Sequence, residues 1–256
     1  MKITHNAGFF SCSTVRLNGI IQHFNNNKEL PNEVDTTEQY EWYKEYNNND
    51  ITFKYFKHYN EIEETITYER EIDFKEWYQY KVYSKLDYNG ILPFVKKYFT
   101  PSDNINKIMT EMENKYNLNY ENICVLFFRG NDKSREVKLP TYDDYINHGK
   151  NVLSQNPNIK FLIQSDETNF IIKMAETFPN NIIFKDEIRH IQDKSTTVDI
   201  AFRKTNHIYS MYYLAITIIM SKCNYVICNS GNCSLWIILF RGNSNKITEF
   251  CANYLF

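Results

Sequence analysis

The chain has no long apolar run, no excess of one charge and few residues that interrupt regular structure. Its longest apolar stretch, residues 211–220, includes two tyrosines and is about half of the roughly 20 residues that cross a bilayer, so no membrane span is expected. Lys and Arg number 29 against 31 Asp and Glu, a formal net charge of −2. With neither a sequence-wide field nor a basic stripe, nucleic acid and anionic membranes are disfavoured as partners. The opening Met1-Lys2-Ile3-Thr4-His5-Asn6 lacks the charged-then-apolar order of a secretory signal, which leads us to expect a cytoplasmic chain (bacterial, viral or host cytosol) rather than a secreted one. In such a compartment the 6 cysteines are expected to be reduced structural thiols. Cys223, Cys228 and Cys233 recur at intervals of five, but that spacing matches no zinc pattern.

What is abundant is less informative. Asn makes up about one residue in eight, Tyr and Phe number 20 and 18, and Gly and Pro only 7 and 6. This is the composition that an A+T-rich genome imposes, so most rings are expected in the core. A length of 256 residues leaves room for one large α/β domain or two small ones.

Periodicity divides the chain. In the first half, Val15, Leu17, Ile20, Ile21 and Phe24 predict one amphipathic helix. Asn25-Asn26-Asn27 and Asn47-Asn48-Asn49-Asp50 read as surface breaks, and residues 51–83 alternate in pieces that suit strands or short helices. The pattern clears at Pro101-Ser102-Asp103, where a helix cap precedes Ile105, Ile108, Met109 and Met112 at helical spacing. We place a domain boundary there, giving units 1–101 and 102–256. In the second unit, short apolar runs at 123–128, 161–164, 182–184 and 225–228 alternate with helical segments at 142–153, 169–178 and 212–220. Such alternation marks a parallel sheet covered on both faces, a doubly wound fold.

In that fold ligands bind beyond the carboxyl ends of the strands. The first run leads into Arg129-Gly130-Asn131-Asp132-Lys133, the second into Ser165-Asp166-Glu167, and the last into Asn229-Ser230-Gly231-Asn232-Cys233-Ser234. The last resembles a polar loop feeding a helix N-terminus, whose free N–H groups and dipole suit a phosphate. Each piece also has a purely structural reading: a surface Arg129–Asp132 pair, a helix cap at Ser165-Asp166, an ordinary turn at 229–234. Their joint placement after successive strands favours a site for a phosphate-containing ligand.

Several motifs then resemble one family. Tyr98-Phe99-Thr100-Pro101-Ser102, a helix and Phe127-Phe128-Arg129-Gly130-Asn131-Asp132-Lys133 are similar to the linker and His-x-Arg-x-x-Asp stretch of the α-1,2-, α-1,6- and protein O-fucosyltransferase superfamily. Phe161-Leu162-Ile163-Gln164-Ser165-Asp166-Glu167 resembles its strand ending in Ser-Asp-Asp. Met220-Ser221-Lys222-Cys223, Asn229-Ser230, Ser234 and Trp236 resemble its closing Met-Ser-x-Cys, Asn-Ser and Ser-Trp-Trp pattern. The likeness covers residues 98–241; before that only Asn6-Ala7-Gly8-Phe9-Phe10 matches, at a Gly-Asn-containing first loop.

The resemblance implies a GT-B fold: two Rossmann-like doubly wound domains facing a cleft, residues 1–101 on the acceptor side and 102–256 holding the donor nucleotide. It implies a metal-independent glycosyltransferase, fucosyltransferase-like, that moves a sugar from a nucleotide sugar, GDP-sugar favoured, to a glycan hydroxyl, with no cofactor. The alternative is a non-catalytic binding or structural protein that keeps the fold. Arg129 and Asp132 would be the catalytic pair, Arg129 holding the diphosphate and Asp132 orienting Arg129 and its loop. Lys133, Ser230, Gly231, Asn232 and Ser234 would share the phosphates, while Gly8, Arg16, Asp166, His190, His207 and Tyr209 would border the donor pocket. The segment Asp186-Glu187-Ile188-Arg189-His190 reads either as a cleft rim or as a solvated loop. Three positions depart from the family: Phe127 replaces its histidine, Gly130 a second arginine, and Ile216 or Thr217 the acid that reads guanine. Those departures permit another nucleotide or lost activity.

Overall fold

The computed structural model describes residues 1–45 and 49–251. Nine α-helices are found among them: α1 (Phe9–Asn27), α2 (Thr52–Tyr55), α3 (Tyr88–Phe99), α4 (Asp103–Tyr116), α5 (Tyr142–Gln155), α6 (Thr168–Thr177), α7 (Val198–Ala201), α8 (Asn206–Lys222) and α9 (Asn232–Arg241). Five strands, β1 (Ile123–Phe128), β2 (Lys160–Ser165), β3 (Asn181–Ile182), β4 (Tyr225–Asn229) and β5 (Ile247–Phe250), form one sheet in the order β3-β2-β1-β4-β5. Every pairing is parallel.

The strands read as unbroken apolar runs because both faces are covered. Val125, Phe127, Leu162, Val226 and Cys228 join a core shared with α1, α3, α8 and α9. Their neighbours Cys124, Leu126, Phe161, Ile163 and Ile227 face a second core under α5 and α6, with Tyr145, Phe170 and Met174. The α/β reading with a parallel sheet therefore holds. The edge strand β5 and the full lengths of α8 and α9 lie beyond what the spacing predicted.

Residues 1–101 depart from the expected second Rossmann-like sheet, since their described part contains no strand, only α1–α3, 3-10 turns and irregular chain. In the alternating stretch 61–68, every second residue is half-buried and the rest exposed. The period of two therefore records an extended chain laid on the core without ladder partners. Large rings fill this half instead: Tyr40, Tyr55, Phe56, Phe74 and Tyr83 are all fully buried. Side chains replace the missing ladder hydrogen bonds. The buried Asn25 brackets Ile72, accepting from its N–H and donating to its carbonyl, each at 3.0 Å. Asn25 is thus not in a surface loop; α1 runs on to Asn27 and stops at Lys28, which takes the left-handed conformation. Of the second polar break, Asn47 and Asn48 lie outside the described residues, while Asn49 is exposed and the half-buried Asp50 accepts from Thr36 and Thr52.

Pro101 and Ser102 separate α3 from α4 as expected, with the Ser102 hydroxyl accepting from Ile105 N–H. Apolar side chains from both sides of this break share the larger core. Cys12, Cys124, Cys223, Cys228 and Cys233 are buried free thiols, whereas Cys251 is exposed. Among the described residues no helix is long and apolar enough to cross a membrane.

Candidate ligand-binding site

The chain leaves β1 toward α5 on one face of the sheet and leaves β4 toward α9 on the other. Adjacent strands whose connections diverge open a crevice at their carboxyl ends, the usual ligand position in open α/β sheets. A cavity of about 350 Å³ lies there, walled by the ends of β1 and β2, the starts of α1 and α9, one face of α8 and the segment 187–199.

Arg129, Asp132, Lys133, Asp166, Gly231, Asn232, Gly8 and Tyr209 all line this cavity. The Arg129 guanidinium pairs with the buried Asp166 carboxylate and, at 3.3 Å, with Asp132. Burial alone would lower the Arg129 pKa, but the facing carboxylate of Asp166, with smaller help from Tyr213 and Asp132, raises it overall. Asp166 also fixes the loop beyond β1, accepting from Gly130 N–H at 2.9 Å while its carbonyl accepts from Asn131 Nδ2 at 2.7 Å. A side chain at Gly130 would require the Glu167 carboxylate and the Phe128 ring to shift. Lys133 is 6% exposed; its ammonium pairs with Glu136 and donates to Gln79 and Tyr80. Burial pulls its pKa down despite Glu136.

Two helices present their first turns to the same space. The N-cap of α1 is Gly8 and that of α9 is Gly231, and neither helix has a capping side chain. Phe9 N–H donates to the Tyr43 hydroxyl at 2.7 Å, and Gly231 N–H approaches the Tyr83 hydroxyl at 3.4 Å. The following N–H groups of Phe10, Ser11, Asn232 and Cys233 have no protein acceptor among the described residues. The two ends are held together by Trp236 Nε1, which donates to Thr14 Oγ1 at 3.0 Å, and by Thr14 Oγ1 at 2.9 Å from Asn232 Oδ1.

Other expected residues sit elsewhere. Arg16 is fully buried in the core, 4.9 Å from the Phe99 ring centroid, with a 3.3 Å hydrogen bond to the Tyr98 carbonyl; it does not reach the cavity. Ser234 is also buried and its hydroxyl donates to the Asn229 carbonyl at 2.6 Å, closing the turn. The Ser230 hydroxyl turns to the Phe250 carbonyl at 3.3 Å. His190 Nδ1 lies 2.8 Å from the Thr168 hydroxyl, and neither His190 nor His207 lines the cavity.

The segment 186–190 is a cleft rim, since Glu187, Ile188 and Arg189 line the cavity; sequence reasoning missed Asp199 and Tyr43. Arg189, one position before the expected His190, donates to Asn206 Oδ1 at 2.6 Å and to Asp199 at 3.0 Å. Its guanidinium lies 5.0 Å from the Tyr209 ring centroid. The other oxygen of Asp199 accepts from the Tyr43 hydroxyl at 2.8 Å, so a polar chain runs from the start of α1 to the cavity's far wall. The segment 186–190 offered the only sequence signal for it. Three cations (Arg129, Lys133, Arg189) and five carboxylates (Asp132, Glu136, Asp166, Glu187, Asp199) line the cavity. Net formal side-chain charge there is negative. Among the described residues no group of three or more His, Cys, Asp and Glu is placed to hold a metal ion.

No family model matches the chain, and no curated protein matches it. Solved structures similar to part of it include NodZ α-1,6-fucosyltransferase soaked with GDP-fucose (TM-score 0.40, 6% identity, covering 60% of this chain and 47% of that one). Also similar are fucosyltransferase NodZ from Bradyrhizobium (0.38, 7%, 60% and 47%) and an Arabidopsis thaliana FUT1 mutant in complex with GDP (0.36, 10%, 67% and 41%). The chain spans less than half the length of each.

Proposed function

We propose that the cavity holds the diphosphate of a nucleotide sugar and that the protein is a fucosyltransferase-like glycosyltransferase acting on a glycan hydroxyl. The observation that carries this reading is the meeting of two uncapped helix N-termini with Arg129 at the crevice between β1 and β4. In transfer, the bond from the anomeric carbon to the β-phosphate oxygen breaks and its electron pair stays on the diphosphate. The acceptor oxygen bonds to that carbon and its proton passes to solvent water. Preorganised N–H donors of α1 and α9, and the Arg129 N–H groups that Asp166 and Asp132 do not use, stabilise the charge growing on the leaving group. The sugar and acceptor would lie toward residues 1–101, where Trp42 and Phe10 line the cavity.

A second reading, a binder without transferase activity, is favoured by one observation: Arg129, Lys133 and Arg189 are each already paired with carboxylates of the protein. Thermal unfolding with ADP, CDP, GDP, UDP and their sugar conjugates tests both. A ligand at a hundred times its dissociation constant should stabilise the fold by about 2.7 kcal/mol. Release of the nucleoside diphosphate from the bound conjugate, faster with a glycan acceptor, identifies the enzyme; binding without turnover identifies the binder. No shift with any of them overturns both.

A further inference from the structure

Phe127 of β1 is the register partner of Gln164 in β2 and of Cys228 in β4. The side chains of register partners share a face, and Phe127 and Gln164 both line the cavity, as do Tyr213 and Ile216 of α8. This wall is uncharged and largely apolar, unlike the Arg129 side. Gln164 is its exception. The residue is 5% exposed, its Oε1 is fully buried without a partner, and none of the described residues hydrogen-bonds its carboxamide. The residues that follow it are all engaged: Ser165 Oγ accepts from Glu167 N–H at 2.9 Å, Asp166 holds Arg129 and Gly130, and Glu167 pairs with Lys194 at 2.7 Å. Other amides in the wall are used as well, Gln79 by Lys133 and Asn232 by Thr14.

A buried, unpaired amide oxygen destabilises a fold. A carboxamide sets a donor beside an acceptor in one plane, the arrangement that forms two-point hydrogen bonds with the edge of a nucleobase. Rings and a branched aliphatic chain around it suit the two faces of a flat heterocycle.

Resting on the nucleotide-sugar reading, we propose that Gln164 is the specificity-determining residue for the base, its carboxamide rotating to bring the sealed Oε1 to the cavity and pairing with an edge that offers one donor and one acceptor, between Phe127 and the Tyr213–Ile216 side of α8.

The test measures the affinities of ADP, CDP, GDP and UDP by calorimetry for wild type, Gln164→Leu and Gln164→Glu. In Gln164→Leu the preferred nucleotide should lose about tenfold or more, the discrimination of one two-point pair, so that the four bases converge. The unliganded variant should melt at a higher temperature, because an unpaired buried oxygen has gone. In Gln164→Glu the carboxylate accepts at both points and suits the adjacent N1–H and N2–H donors of guanine, so the ranking should move toward GDP. An unchanged ranking in both variants, or a lowered melting temperature in Gln164→Leu, overturns the assignment to Gln164 while leaving the diphosphate site standing. Failure of all four nucleotides to bind wild type overturns the underlying reading instead.

Discussion

Asn229, the last residue of β4, brackets Arg129, the first residue beyond β1: its Oδ1 accepts from Arg129 N–H at 2.9 Å and its Nδ2 donates to the Arg129 carbonyl at 3.0 Å. The pair continues the ladder one residue past the point where the strands diverge. It holds the guanidinium's backbone in place without using its side chain. Asn229 is 2% exposed, and the Tyr145 hydroxyl, which donates to the Phe127 carbonyl at 2.8 Å, shares that proton with Oδ1 at 3.2 Å. Asn229→Ala leaves both backbone groups of Arg129 without these partners and should cost about 2–3 kcal/mol in urea unfolding. A loss below about 0.5 kcal/mol would show that the bracket contributes little.

The chain from Phe9 through Tyr43 to Asp199 joins the start of α1 to the cavity's far wall. Removing the hydroxyl in Tyr43→Phe breaks a hydrogen bond to a carboxylate and leaves Phe9 N–H unpaired, a loss of about 1.5–3 kcal/mol. A double-mutant cycle with Asp199→Ala should show coupling. Additive effects would mean that the contact carries no energy.

Arg16 was expected at the donor phosphates and is instead enclosed by apolar residues, with its Nε unpartnered. Burial lowers its pKa, against the pull of Tyr40 and Asp50. A long apolar side chain fills the same space without an unsatisfied donor, so Arg16→Met should raise stability by about 1 kcal/mol and leave nucleotide affinity as in wild type. A loss of more than about 2 kcal/mol would show that the contact with the Phe99 ring and the bond to Tyr98 outweigh the burial.

The imidazoles of His5 and His190 are held below the ordinary 6.5 by burial, in His5 against the pull of Glu76. Folding then favours the neutral rings. Their contribution is complete above pH 6.5, the unfolded value, and is lost as pH falls through it to the lowered folded values. Urea unfolding at pH 7.5, 6 and 5 should show wild type weakening more steeply than the double variant His5→Gln, His190→Gln. Parallel curves would contradict this.

Legibility in the sequence followed burial. β1, β2 and β4 stood out because both faces are covered, which removes polar residues from the run. β5, Ile247-Thr248-Glu249-Phe250, is a half-buried edge carrying a charge, and its four residues give no such signal. Arg129, Asp132 and Asp166 were legible because strand ends mark the crevice in any doubly wound sheet. Arg189 was legible only as one member of the 186–190 segment, since its own role depends on Asp199 and Asn206, ten and seventeen positions away. Arg16 misled for a related reason: one charge inside an apolar helix reads as surface until Phe56 and Phe99 are seen to enclose it. The unpaired extended stretch at 61–68 shows the limit of period-two patterns, which report a covered face and say nothing about a neighbouring strand.

The central claim is that the two open helix ends receive the ligand's phosphates. A Cβ at Gly8 meets nothing within 4 Å, and one at Gly231 only the Lys133 side chain at 3.9 Å, so both positions have room for a side chain. Aspartate at an N-cap accepts from the first-turn N–H groups and adds negative charge there. The most direct measurement is calorimetric titration of the preferred nucleoside diphosphate into wild type, Gly8→Asp and Gly231→Asp, with the melting temperature of each unliganded protein. The account predicts binding to wild type, at least tenfold weaker binding to each variant, about 1.4 kcal/mol, and melting temperatures at or above wild type. Undiminished binding to both variants would contradict it.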